Sequence, residues 1–141
     1  MKLSYKTNAW PELSWEAHCG LADKMELDGL ELCYSPGEAG ALLNDVHSSR
    51  HFLRRLGEKQ LEPACITMEG VPVGDDFTPV IRAAEECILL ARILRTPYVC
   101  LDMDFDLDED EALLIGLLGM LLPKAESDGV TLLIETRGVY V

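Results

Sequence analysis

The chain has 141 residues, 48% of them hydrophobic and 26% charged, which is one domain's worth of sequence with enough apolar side chains for a core. Twelve Lys and Arg against twenty-five Asp and Glu leave a formal charge of −13, a balance that argues against a nucleic-acid backbone or an anionic membrane surface as partner. The longest uncharged stretch, residues 112–123, falls short of the roughly 20 residues of a membrane span, and Met1-Lys2-Leu3-Ser4-Tyr5-Lys6 has no apolar signal run, so the chain reads as cytoplasmic.

The first strand is expected over residues 3–7. Ser14 then caps a helix that carries Trp15, Cys19, Ala22 and Met25 on one face, and Asp28-Gly29 closes it. A second strand covers residues 29–33. After a loose segment holding Leu42, Leu43 and Val46, a helix spans residues 49–59 with Phe52, Leu53 and Leu56 inward. The third strand, residues 64–68, leads to Thr78-Pro79, a helix start signal. That helix turns Ile81, Ala84, Ile88, Ala91 and Leu94 inward and stops before Pro97. The fourth strand, residues 98–102, precedes a helix opened by Asp108, whose acidic first turn suits the positive end of the helix dipole. Pro123 is expected to kink or interrupt that helix. Asp128-Gly129 turns into the fifth strand, residues 130–135.

Strands this apolar are buried on both faces of a parallel sheet, and the alternation β-α-β-α-β-α-β-α-β means an α/β fold with right-handed crossovers. Two architectures fit one domain over residues 1–141. One is the first half of a TIM barrel, with about five strands and four helices. The other is a five-stranded, doubly wound, flavodoxin-like sheet.

No glycine-rich nucleotide or phosphate loop, nucleophile elbow or HExxH motif is present. Residues 102–111 begin like a calcium loop, but Leu107 and Leu113 stand where its glycine and glutamate belong. That segment reads as a solvated acidic loop and a first helical turn. The five cysteines form no CxxC pair. Cys33, Cys65 and Cys100 fall in apolar runs and are expected to be buried, with Cys19 and Cys87 on helices less protected. His18, His47 and His51 read as surface or helix-packing residues.

The strand ends hold the candidates, because α/β folds place their chemistry there. Asp102 ends the fourth strand, and Trp10 in the loop after the first either lines a sugar pocket or covers the barrel end. Glu31 and Glu135 lie in otherwise apolar runs, where a carboxylate needs a metal, a cation or hydrogen-bond donors. The plain alternatives are an ion pair of Glu135 with Arg137 or a lysine, and an ion pair of Glu31 inside the mouth.

Three segments together resemble the xylose-isomerase-like TIM barrels, which include sugar-phosphate isomerases and epimerases. They are Lys2-Leu3-Ser4-Tyr5, Asp28-Gly29-Leu30-Glu31-Leu32 and Asp128-Gly129-Val130-Thr131-Leu132-Leu133-Ile134-Glu135. The resemblance covers the N-terminal half of such a barrel. It implies that Glu135 is the first ligand of a catalytic divalent metal, manganese, magnesium or cobalt rather than zinc, with the other ligands on strands six to eight. Met68-Glu69 and Asp102 stand where some branches carry histidines. The implied activity is metal-assisted isomerisation of a sugar or sugar phosphate once the missing half completes the barrel, with Trp10, Glu31, Asp102 and Arg137 against the substrate. Two other readings stay open: a non-catalytic α/β module and a small flavodoxin-like ligand-binding domain. A half-barrel leaves its first and fifth strands with unpaired outer edges, so self-association or pairing with a second half-barrel is expected.

Overall fold

The computed structural model describes residues 1–72, 76–104 and 107–135. Among them, five parallel strands alternate with helices: β1 (Ser4–Lys6), α1 (Trp15–Lys24), β2 (Gly29–Cys33), α2 (Pro36–Asn44), α3 (Val46–Glu58), β3 (Glu62–Pro72), α4 (Thr78–Leu94), β4 (Tyr98–Asp104), α5 (Leu107–Ser127) and β5 (Thr131–Glu135). A 3-10 turn, Thr7–Ala9, follows β1. The sheet order is β1-β2-β3-β4-β5, with every neighbouring pair parallel. A doubly wound sheet requires a point where strand order reverses. This order has none, so the flavodoxin-like alternative is set aside and the singly wound, barrel-type arrangement stands.

The buried hydrophobic residues of the strands all belong to one alternation: Leu30 and Leu32, Ile66 and Met68, Val99, Leu101 and Met103. They form one core cluster with the inward residues of the helices, among them Cys19, Phe52, Ile88 and Leu117. Since side chains alternate across a strand, the helices cover one face of the sheet. Each such large side chain contributes about 1.5–3 kcal/mol by leaving water. The opposite face carries Lys6, Glu31, Cys33, Cys65, Thr67, Cys100, Asp102, Leu133 and Glu135, aligned by register. The three strand cysteines are therefore half-buried on the open face, whereas Cys19 and Cys87 are fully buried. This reverses the expected order of protection. Apolar neighbours had hidden the period of two.

Two local features shape the β2–β3 pairing. Gly29 lies so close to β3 that a Cβ there would meet the Glu62 carbonyl oxygen at 2.5 Å. In β3, Leu30 aligns with Pro63 but Glu31 aligns with Cys65, so Ala64 is an extra residue. Its carbonyl accepts a hydrogen bond from the Thr96 hydroxyl at 3.1 Å.

The helices differ from expectation in two places. The loose segment before the second helix forms α2, started by Pro36 and held by buried Ala39 and Leu42. Asp45 then caps α3 by accepting from the His47 and Ser48 amides. Gly37 and Gly40 had masked α2, since glycine is a poor helix former. Pro123 does not end α5, which runs on to Ser127. Pro123 and Gly119, whose carbonyl loses its helical donor, both lie on the exposed side, where water can satisfy that oxygen.

Candidate functional site

At the C-terminal end of the sheet, four charged side chains converge from four strands. Lys6 Nζ lies 3.1 Å from Glu135 Oε2, 3.2 Å from Glu69 Oε1 and 3.5 Å from Glu31 Oε1. Lys6 ends β1 and Glu135 ends β5, on opposite edges of the sheet. In a flat sheet four strand intervals would separate those edges by about 19 Å, so direct contact requires strong curling, as in a barrel wall.

Further donors hold the carboxylates in place. The Thr67 hydroxyl donates to Glu31 Oε1 at 2.5 Å. Asn8 Nδ2 donates to both oxygens of Glu69, at 2.8 and 3.0 Å. Burial alone would lower the Lys6 pKa, but the hydrogen bonds to Glu135 and Glu69 and the charge of Glu31 outweigh it. The net effect raises it well above the usual lysine range, so Lys6 is an ammonium throughout the physiological range.

Asp102 is buried and sits beside Glu135 in the β4–β5 register. Trp10 is exposed and meets the Tyr5 ring edge-on at 5.7 Å. The Tyr5 hydroxyl shares a hydrogen bond of 2.5 Å with His18 Nδ1. Burial holds the His18 imidazole below the usual histidine range, although a hydrogen bond to the Trp10 backbone works the other way. His18 thus fastens the loop after β1 to α1 and is a helix-packing residue. A cleft of about 430 Å³ opens beside this loop, lined by Asn8, Trp15, His18, Ser35, Glu38 and Glu69 among others. Glu38 occupies the start of α1, accepting from the Trp15 amide at 3.3 Å.

Glu31 and Glu135 therefore share one rim. Arg137 lies outside the described residues, as do the side chains of the acidic segment from 104 to 110. Lys6 and Glu69 were missed by sequence reasoning. For Glu69 a signal was available, since it directly follows the apolar run of residues 64–68 much as Glu135 follows Ile134, whereas Lys6 closes the short polar strand Ser4–Lys6 and gave none. Curvature, which brings β1 to β5, has no trace in the linear pattern.

The metal implied by the resemblance does not fit these residues as they stand. Among the described residues, no three His, Cys, Asp or Glu side chains are grouped to hold a metal ion. The centre of the three glutamates belongs to the Lys6 ammonium. No helix among the described residues is long and apolar enough to cross a membrane.

No protein-family model and no curated sequence matches the chain. Solved structures match its fold. The probable 3-DHS dehydratase AsbF of Bacillus anthracis is 21% identical at a TM-score of 0.70, over 96% of this chain and 52% of its own. The IolI protein, whose structure holds a zinc atom, is 17% identical at 0.73, over 95% and 51%. D-psicose 3-epimerase of Clostridium cellulolyticum H10 is 12% identical at 0.71, over 94% and 51%. Xylose isomerase domain proteins, a sugar phosphate isomerase/epimerase and an AP endonuclease of family 2 share the fold over similar spans. The chain thus has the fold of xylose-isomerase-like TIM barrels and spans about half the length of the structures it matches.

Proposed function

We propose that this chain supplies the first five strands of a cytoplasmic isomerase- or epimerase-type barrel acting on a small sugar or sugar phosphate, completed by a second half-barrel. The observation that carries the reading is the rim at the strand ends, where Lys6, Glu31, Glu69 and Glu135 meet on one face. Carboxylates in such a place accept hydrogen bonds from sugar hydroxyls, and one of them serves as base toward a carbon beside a carbonyl. A fixed cation among them stabilises the negative charge that develops on the carbonyl oxygen. Trp10 offers an apolar ring to a sugar face, and Asp102 lies deeper beside Glu135. The sugar epimerase and isomerase/epimerase among the matched folds support this substrate class, and five free thiols suit a reducing compartment. Glu135 is the oxygen ligand this chain would offer a divalent ion, but only after releasing Lys6.

Saturation-transfer NMR with D-fructose and D-fructose 6-phosphate tests the reading on the 141-residue chain. At least one sugar should receive saturation, and Trp10→Ala and Glu69→Gln should weaken it. Absence of transfer to both, with the chain folded by circular dichroism, would sink the sugar reading.

A further inference from the structure

We infer that Lys6 is the resident cation of this rim, standing where a related barrel would hold a divalent metal and keeping that metal out. The inference rests on the rim being the substrate site proposed above, and it concerns which cation serves it. An ammonium has three N–H donors. Here three carboxylates surround it, one each from β2, β3 and β5, at 3.5, 3.2 and 3.1 Å. Glu135 and Glu69 accept hydrogen bonds from it, and Glu31 adds a third negative charge at ion-pair distance.

The size of the cage points the same way. Contacts of 3.1–3.5 Å suit an ammonium facing carboxylates, whereas carboxylate oxygens around magnesium or calcium close to about 2.0–2.6 Å. Glu31 and Glu69 are not free to close in, because Thr67 holds one and Asn8 the other. A divalent ion would have to displace the ammonium and then draw three separately anchored carboxylates inward. Lys6 also comes from the strand itself, not from a long loop that could swing away. Its place at the end of β1 makes it part of the wall, present at unit occupancy whatever the metal supply. For a sugar carbonyl or hydroxyl approaching the rim, it is the positive partner. Glu31 makes the longest of the three contacts and takes its hydrogen bond from Thr67, so the N–H of Lys6 on its side is the one a substrate oxygen can claim.

Manganese titration followed by water-proton relaxation tests this on the full chain. Wild type and Glu135→Gln should give the same titration, since the rim takes no ion and other acidic residues contribute equally to both. Lys6→Met should bind manganese about tenfold or more tightly than wild type, and adding Glu135→Gln should abolish the gain. Lys6→Arg, which keeps a cation, should show none. Wild-type binding that disappears in Glu135→Gln would overturn the inference, and this arm needs no substitution at Lys6. A folded Lys6→Met without any gain would overturn it as well. Sugar binding measured after chelation separates this proposal from the functional one. Saturation transfer that appears only with manganese defeats the resident-cation inference and leaves the sugar reading intact. Absence of transfer under both conditions defeats the sugar reading, while the titration still decides the place of Lys6.

Discussion

β2 and β5 are both five-residue strands, each sends a glutamate to Lys6, and their apolar content is similar. Yet Leu30 and Leu32 of β2 are 0% exposed, whereas Ile134, on the same helix-covered face of β5, is 36% exposed. The difference lies in their neighbours. β2 is paired on both edges and covered by helices, while β5, among the described residues, is paired with β4 alone. On α5, Ile115, Met120 and Leu122 are exposed as well. Burial here is a property of position in the sheet, and apolar sequence marks only where it is possible.

The sharpest test of that contrast is truncation on the two strands. Leu32→Ala should cost about 2–5 kcal/mol, the usual range for a fully buried leucine. Ile134→Ala should cost about 1 kcal/mol or less, since much of the side chain is already in water. Urea unfolding of both variants decides it, and equal losses would mean that β5 is as covered as β2. The strand starts should differ in the same sense. Gly29→Ala puts a Cβ against the Glu62 carbonyl and should cost about 2 kcal/mol or more as overpacking, whereas Thr131→Ala, at an exposed position, should change stability by about 0.5 kcal/mol or less.

The next effect is on association. The exposed apolar residues of β5 and α5 should make the chain self-associate, and Ile115→Lys with Ile134→Lys should shift it toward monomer in light scattering. A wild-type monomer would show that the exposed apolar surface drives no association.

Thiol labelling gives a smaller, position-resolved readout. Cys19 and Cys87, buried under helices, should stay unlabelled until unfolding, while Cys33, Cys65 and Cys100 on the open face should react in the native state. Burial pushes the Cys100 thiol up to about 11, so its labelling should be slow near neutrality and rise with pH as thiolate forms. Native labelling of Cys19 as fast as Cys100 would contradict the assignment of faces.

The smallest effect concerns the turn that leads into β5. The Asp128 carboxyl is held below the usual range by a hydrogen bond from Lys124, with Arg92 also beside it. A depressed carboxyl contributes stability that is present above its unfolded pKa and lost as pH falls through the folded one. Asp128→Asn should therefore lower Tm modestly at neutral pH, and the gap to wild type should close in strong acid. A gap that persists there would assign the effect to lost packing.

Much of the fold was readable because the strands announce themselves. Gly29-Leu30-Glu31-Leu32-Cys33 has its expected bounds, and Ser14 caps α1 as its sequence indicates. β3 runs longer than expected at both ends, because Glu62 and Pro63 extend an apolar run without belonging to it. The rim was half readable. Glu31 and Glu135 stood out as charges in apolar strands, and an ion pair with a lysine was among the outcomes foreseen for Glu135. That the lysine is Lys6, and that Glu69 joins it, depends on curvature and register. These arise from packing between segments far apart in the chain. The cysteines failed for a related reason, since an apolar run looks the same whichever face its alternate residues take.

Ala64 has a consequence for how this sequence can change. With side chains alternating at a period of two, one extra residue exchanges the faces of everything beyond it. Deleting Ala64 would turn Ile66 and Met68 toward the mouth and send Cys65, Thr67 and Glu69 into the apolar layer. It would also leave the Thr96 hydroxyl without its acceptor. A loss of one codon at this point would therefore remove two of the side chains that surround or support Lys6 without touching either of their own codons. Insertions and deletions in the first turns of β3 are thus barred more strictly than substitutions, and the length of that short stretch is itself inherited as part of the site.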